Sequence, residues 1–119
     1  MNPEAIKCLS CPKPRCSMIG CPVHTAIPEC IRLYKEGRLK EAGEILFNNN
    51  PFSAVTSIVC NYKSFCYGAC VLNAKKDPVR WYEIEQEISN EFLKAFHPDV
   101  TQKNDQKIAI IGAGPAGLS

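Results

Sequence analysis

Eight cysteines are the residues of this chain that are most able to do chemistry. Four of them follow the spacing C-x2-C-x4-C-x4-C between positions 8 and 21, three lie between positions 60 and 70, and the eighth is Cys30. Cysteine thiolates bind soft metals, or pair as disulfides in oxidising compartments. The N-terminal stretch MNPEAIKC lacks the apolar segment of a signal peptide, so the sequence favours a cytoplasmic location and metal binding over disulfides.

Zinc, iron–sulfur clusters and another soft metal are the alternatives for such a cysteine set. Zinc sites often use paired C-x2-C knuckles, but only Cys8 and Cys11 have that spacing. Compact loops with short cysteine spacings are typical of iron–sulfur proteins. The prolines of CPKPRC and Gly20 are expected to keep the first loop out of helix, which leaves N–H groups for cluster sulfurs. The spacing therefore favours iron–sulfur clusters, with a structural zinc or docking domain without a redox role as the alternative.

A second pattern with chemical meaning is the glycine-rich segment KIAIIGAGPAGLS at positions 107–119. Gly112, Gly114 and Gly117 form G-x-G-x-x-G directly after the apolar run Ile108–Ile111. This order is typical of the first strand and phosphate-binding turn of a Rossmann-type FAD or NAD(P) domain. The second strand and the acidic ribose ligand do not follow within the 119 residues. We therefore expect residues 107–119 to be the truncated start of such a domain, irregular in this piece.

A helical hairpin is predicted between the two cysteine-rich loops. Apolar residues recur at helical spacing over residues 25–37 and again over residues 38–50. Thr25 is expected to cap the first helix, and Pro28 suits its first turn because a proline loses no hydrogen bond there. Gly37 suits the turn between the two helices.

Further helices are predicted after this hairpin. Residues 50–59 predict a short helix that Asn50 caps, and residues 81–96 predict an amphipathic helix of about four turns. Polar residues without periodicity follow at 97–106 and predict a linker. We therefore expect a mainly α domain over residues 1–96, a small helical domain with two cysteine-rich loops.

The bulk composition argues against several classes of protein. The 119 residues fit one small domain with an appendage. A net charge of +2, from 14 basic and 12 acidic residues, does not indicate a nucleic-acid partner. No apolar run has the length that crosses a membrane. The expected partners are therefore cofactors and proteins, not nucleic acids or membranes.

Several segments together resemble the N-terminal iron–sulfur domain of the NADPH-dependent glutamate synthase small (beta) subunit family: CLSCPKPRC, GCPVHTAIPE, EAGEILFNNNP, FCYGACV, DPVRWYEIE and KIAIIGAGPAGLS. The same module occurs in dihydropyrimidine dehydrogenase and related flavoprotein oxidoreductases. The resemblance implies an alpha-helical ferredoxin-like fold with two 4Fe–4S clusters, and FAD and NADPH in the domain that follows. It also implies a large (alpha) subunit or another redox partner, to which the module relays electrons without itself being catalytic.

The resemblance also implies which side chains bind the clusters. One cluster would take four cysteines: Cys8, Cys11, Cys16 and Cys70. The other would take three cysteines and one carboxylate: Cys21, Cys60, Cys66 and Glu85. Four residues separate Cys16 from Cys21, where the family usually has three. A bulge of one residue would absorb the difference.

Glu85 stands where the family has a glutamine or glutamate ligand. It lies four residues after Trp81 and three before Ile88, which places it nearer the apolar face of the predicted helix than its acidic neighbours. Cys30 is left without a ligand role. A free cysteine behaves as a small apolar side chain, so we expect Cys30 to be buried in the core.

Overall fold

The structure is a computed structural model that describes residues 1–119, and its regular elements are helical. The helices are α1 (Glu4–Lys7), α2 (Ile27–Lys35), α3 (Leu39–Asn49), α4 (Ser53–Val59), α5 (Cys66–Ala69), α6 (Trp81–Ala95) and α7 (Pro115–Leu118). A π-turn occupies Cys16–Gly20, and two 3₁₀ turns occupy Tyr62–Ser64 and Val71–Lys75. There is no strand, so the predicted mainly α class is confirmed. No helix is long and apolar enough to cross a membrane.

The core forms where α6 packs against α3 and α4, with α2 packed on α3. Each of the long helices contributes fully buried side chains, namely Ile31 of α2, Leu46 of α3, and Ile84 and Ile88 of α6. Burying one such side chain stabilises a fold by about 1.5–3 kcal/mol. The apolar stripes read from the sequence are therefore the surfaces that hold the helices together. This core fixes α6, which carries Glu85.

The helical hairpin forms as predicted, except at its first cap. Pro28 lies in the first turn of α2, and Gly37 adopts a φ of +73° between α2 and α3, a conformation that glycine accepts readily. Thr25 does not cap α2, so that prediction was wrong. The N–H of Ile27 donates to the backbone carbonyl of Thr25, at 2.8 Å, and to Oγ of Ser17, at 3.2 Å.

The later helices also match their predicted positions closely. The helix expected over residues 81–96 is α6, Trp81–Ala95. The short helix expected from position 50 begins at Ser53, because the chain first makes a turn in which the Phe52 N–H donates to Oδ1 of Asn50, at 3.0 Å. Asn50 therefore supports the turn before α4 and does not cap the helix itself.

The first cysteine loop is less irregular than its prolines predict. Cys16–Gly20 forms a π-turn, in which the N–H of Cys21 donates to the carbonyl of Cys16, at 2.7 Å. A π-turn closes over one more residue than an α-turn. The expectation of a helix-free loop was therefore wrong here, and the π-turn accommodates the four residues between Cys16 and Cys21.

The segment after α6 stands apart from the helical core. Residues 96–114 contain no helix, and the apolar run Ile108–Ile111 forms no strand. Ile111 is 99% exposed. A strand needs a neighbouring strand to satisfy its backbone groups, and the described residues offer none. The Rossmann strand and the boundaries of the linker stay predictions.

Candidate metal centres

The two cysteine-rich loops are far apart in sequence but pack directly on each other. The contact lies between the π-turn and α5. At Gly20 the backbones are so close that a Cβ would lie 2.8 Å from Cβ of Ala69 and 2.9 Å from the carbonyl oxygen of Phe65. Glycine is therefore the residue that allows this approach, which brings the two cysteine-rich loops together.

Four of these cysteines share one cavity, which is lined by Cys8, Cys11, Cys16 and Cys70 and also by Arg15. Burial raises the pKa of the Cys16 thiol, hydrogen bonds with Ser17 oppose this shift, and the neighbouring sulfurs of Cys70 and Cys8 add to it. The Arg15 guanidinium brings a positive charge to a place where thiolates would otherwise repel one another. These are the four side chains that the sequence analysis expected at one cluster.

The remaining loop cysteines lie together with a carboxyl group. Burial raises the pKa of the Cys60 thiol, and the nearby Glu85 carboxylate and Cys21 sulfur add to the effect. Burial likewise raises the pKa of Cys66 to about 12, with the same two neighbours and Cys60 contributing. Cys66 also lines the cavity of the first group, so the two groups adjoin.

Glu85 differs from the other carboxylates of α6. It is half-buried, and desolvation by burial raises its pKa to about 7, although the Trp81 side chain favours the ionised form. Glu83 forms an ion pair with Arg80, at 3.0 Å, and Glu87 accepts a hydrogen bond from a tyrosine hydroxyl. The prediction that Glu85 lies nearer the apolar face than these neighbours is confirmed.

Cys30 is buried in α2 with no exposed surface, as expected for a core side chain. Burial raises the pKa of its thiol to about 12, with the Glu85 carboxylate as the second cause. A thiol in this state stays protonated at neutral pH. Its packing role is therefore confirmed.

Two buried hydroxyl groups beside the cysteines were missed by the sequence reasoning. Thr25 Oγ1 lies 3.3 Å from Cys21 Sγ, and Ser17 Oγ lies 4.0 Å from Cys16 Sγ. The sequence pattern predicts only a capping role for Thr25. Its position four residues after a cysteine, on the far side of a proline turn, was the signal that could have drawn attention to it.

The glycines of G-x-G-x-x-G are not brought to the cysteine groups. Gly112 and Gly114 have open space around the position of a Cβ. Gly112 has a φ of +114°, which L side chains rarely adopt, as expected for the first glycine of a tight turn. Their proposed role in cofactor binding is untested by this geometry.

The spacing of the sulfurs bears on the choice of metal. Four cysteines around one zinc ion would each lie about 2.3 Å from it and about 4 Å from one another. No group of three or more His, Cys, Asp or Glu side chains in the structure is arranged to hold a single ion. Thiols that face a common cavity can also bind a larger inorganic core, and a 4Fe–4S cluster bound by thiolates is such a core.

Similar proteins are glutamate synthase (NADPH) small chains of bacteria. The chain is 40% identical to that of Escherichia coli (strain K12) over 119 residues, which cover 98% of this chain and 25% of that protein. It is 38% identical to that of Halomonas elongata over 118 residues, 97% of this chain and 25% of that protein. It is 33% identical to that of Bacillus subtilis (strain 168) over 127 residues, 98% of this chain and 25% of that protein. The chain therefore spans about a quarter of the length of these relatives.

The comparison with protein families agrees with the cysteine arrangement. The family described as dihydropyrimidine dehydrogenase domain II, 4Fe–4S cluster, matches residues 1–96. This range includes all the cysteines, both loops and α6. The resemblance drawn from the cysteine-rich segments is confirmed, and the chain belongs to this family of 4Fe–4S cluster domains.

Proposed function

We propose that the chain is the electron-transfer module of an NADPH-dependent flavoprotein oxidoreductase of the glutamate synthase small-subunit type. The observation that carries the proposal is that two distant loops and α6 bring seven cysteines and one carboxyl group into two adjoining groups. The names of the similar proteins support the type of oxidoreductase.

Each group is proposed to hold one 4Fe–4S cluster. The ligands of the first are Cys8, Cys11, Cys16 and Cys70. The ligands of the second are Cys21, Cys60, Cys66 and Glu85. The donor chemistry supports this division, since thiolates bind iron in such clusters and one site has a carboxylate at the place of the fourth thiolate. Each group takes ligands from both cysteine-rich loops.

A 4Fe–4S cluster accepts and releases electrons one at a time. The residues of this chain hold the clusters, exclude water from them and offset their negative charge. Cys66 of the second group also lines the cavity of the first group, so the two sites are adjacent. Short separation between redox centres is what an electron relay requires.

The rest of the protein is proposed from the glycine-rich segment and the relatives. Residues 1–96 form the cluster domain, 97–106 link it, and 107–119 begin an FAD domain in which Gly112, Gly114 and Gly117 approach the pyrophosphate. NADPH would reduce this flavin, which can pass on a hydride's two electrons singly. The acceptor would be a large (alpha) subunit in the cytoplasm, which uses the electrons to form glutamate.

Metal analysis of anaerobically purified protein tests the proposal. We expect a brown protein with about eight iron atoms and as many sulfides per chain. Cys70→Ser and Cys60→Ser should each retain about half of the iron, because each removes a ligand of a different cluster, and the double variant should retain little. Colourless wild-type protein with stoichiometric zinc would support the structural zinc domain and overturn the redox module.

A further inference from the structure

A buried hydroxyl group lies against one of the proposed ligand sulfurs. Thr25 is 3% exposed, and its Oγ1 lies 3.3 Å from Sγ of Cys21. The backbone between them forms a turn, in which the N–H of His24 donates to the carbonyl of Cys21, at 3.1 Å. The hydroxyl is therefore held beside the sulfur by local backbone structure, not by a mobile side chain.

A second side chain determines which way this hydroxyl points. Nδ2 of Asn49, at the end of α3, lies 3.3 Å from Thr25 Oγ1. An amide nitrogen donates and cannot accept, so the threonine oxygen is the acceptor of that bond and keeps its own proton for another partner. No carbonyl or carboxylate in the structure accepts a hydrogen bond from Thr25. The sulfur of Cys21 is the neighbour that remains.

The state of the sulfur decides the direction of the last bond. A thiol can donate its proton to Thr25 Oγ1, whereas a thiolate that binds metal has only lone pairs and must accept. We infer that Thr25, oriented by Asn49, donates a hydrogen bond to the Cys21 thiolate and raises the reduction potential of the cluster bound there. This inference rests on the proposed function, since it needs Cys21 as a ligand.

The physical reason is the charge that reduction adds. An extra electron makes the ligand sulfurs more negative, and a donor aimed at one of them stabilises the reduced form more than the oxidised form. In the other group the hydroxyl lies farther from its sulfur, because Ser17 Oγ is 4.0 Å from Cys16 Sγ, and it is therefore the weaker donor. The two sites therefore differ in their hydrogen bonds as well as in their fourth ligand.

Redox titration of the full-length, cluster-loaded protein, followed by electron paramagnetic resonance, tests the inference. Thr25→Val keeps the shape of the side chain and removes the hydroxyl. In Thr25→Val, we expect one midpoint potential to shift to a more negative value while the other stays unchanged. Thr25→Ser retains a hydroxyl and should therefore keep both potentials at their wild-type values. Asn49→Leu should cause a smaller shift in the same direction, because Asn49 is exposed and water can replace its amide.

Ser53→Ala is the matched control. It removes a buried hydroxyl whose partner is Ser89 Oγ, at 2.7 Å, and not a sulfur, so both potentials should stay at their wild-type values. If Thr25→Val retains its iron and neither potential moves, the inference is overturned while the proposed function stands. Wild-type protein without iron would instead overturn the proposed function.

A spectroscopic measurement covers the case in which Thr25→Val loses its iron. Electron–nuclear double resonance of the reduced wild-type protein should detect an exchangeable proton coupled to one cluster. That signal should weaken in Asn49→Leu, where the hydroxyl is less well oriented. Absence of the proton signal in the wild type would contradict the hydrogen bond directly.

Discussion

At the scale of single residues, the sulfurs proposed as ligands are thiols whose ionisation is opposed by burial. Burial raises the pKa of Cys16, Cys60 and Cys66, so these thiols are protonated at neutral pH before metal arrives. A bound metal supplies the positive charge that stabilises a thiolate, and its binding therefore releases protons. The fold thus brings the sulfurs together as neutral thiols, and metal binding converts them to thiolates.

Glu85 is the residue whose proposed role is tested most directly. Glu85→Ala removes the oxygen ligand of the second group, so we expect the spectrum and midpoint potential of one cluster to change and those of the other to stay. Glu85→Gln keeps an oxygen at the same place and should have a smaller effect. Glu91→Ala is the control, since this exposed carboxylate on the same helix only pairs with Lys94. Unchanged spectra and potentials in Glu85→Ala would refute the ligand role.

Cys30 and Cys66 should respond differently to the same substitution. Both are buried, but only Cys66 is proposed as a ligand. Cys30→Ser should keep the full iron content and lower the free energy of unfolding by about 1–3 kcal/mol, because it places a hydroxyl in an apolar site. Cys66→Ser should lose about half of the iron. Iron analysis and denaturant unfolding separate the two outcomes, and iron loss in Cys30→Ser would show that Cys30 is a ligand.

At the scale of elements, two long-range contacts position the loops. The π-turn packs on α5 through Gly20, and α1 is tied to the start of α6 through Glu4. Glu4 is 2% exposed and pairs with Lys7 and Arg80, at 3.0 and 3.1 Å, and it also accepts from the Arg80 backbone N–H, at 2.9 Å. A lone buried carboxylate would be costly, and these partners offset that cost.

Gly20→Ala should destabilise the packing of the two loops. A Cβ at this position would overlap the side chain of Ala69 and the carbonyl of Phe65, and such overpacking costs about 1–3 kcal/mol. Thermal unfolding of the cluster-loaded protein measures the loss. The added change Ala69→Gly should recover only part of it, because the Phe65 oxygen belongs to the backbone and cannot move away freely. Full stability of Gly20→Ala would contradict the close approach.

Glu4→Gln should lower the free energy of unfolding by about 1.5–3 kcal/mol, as expected for lost hydrogen bonds to a charged group. Burial alone would raise the pKa of Glu4, but the Arg80 N–H and the charges of Lys7 and Arg80 hold it below 4.5. A carboxyl group with a lowered folded-state pKa stabilises the fold above its unfolded pKa and loses that effect as the pH falls through the folded value. Denaturant unfolding should therefore show a wild-type advantage that is constant at neutral pH and shrinks in acid. An advantage that grew in acid would contradict this sign.

At the scale of the whole molecule, the helical core is small and the cysteine loops add little to it. Only 22 of the 119 residues are buried, and most of these buried residues lie in the long helices. Each proposed cluster binds residues from both loops, so it cross-links the N-terminal region to positions near 60–70. When metal binds only the folded arrangement, its binding energy stabilises the fold.

Removal of iron by a chelator should therefore loosen the two loops more than the helices. In hydrogen–deuterium exchange, we expect protection to fall most in residues 8–24 and 60–76 and least in α3, which carries none of the proposed ligands. Reconstitution with iron and sulfide should restore the protection. Equal protection with and without iron would mean that the loops fold by themselves.

Much of the local structure was predictable because it depends on residues close in sequence. The apolar spacing of α2, α3 and α6 and the positions of Pro28 and Gly37 act within a turn or two, so their predictions are confirmed. The cysteine spacing indicated metal chemistry in the same way. The cap of α2 was not predictable, because the Thr25 hydroxyl contacts Asn49, which is 24 residues away in sequence, and the Ile27 N–H donates to Ser17 Oγ.

The sequence by itself determined where the long helices lie, how the thiols are spaced, and that four residues separate Cys16 from Cys21. The tertiary structure decided what lies beside those thiols: the π-turn on α5, the half-buried Glu85 near Cys60 and Cys66, and the hydroxyl of Thr25 against Cys21. The physical reason is the distance along the chain over which each effect acts. Helical periodicity and turn preferences act over a few residues, whereas the surroundings of a buried sulfur depend on how separate segments pack together.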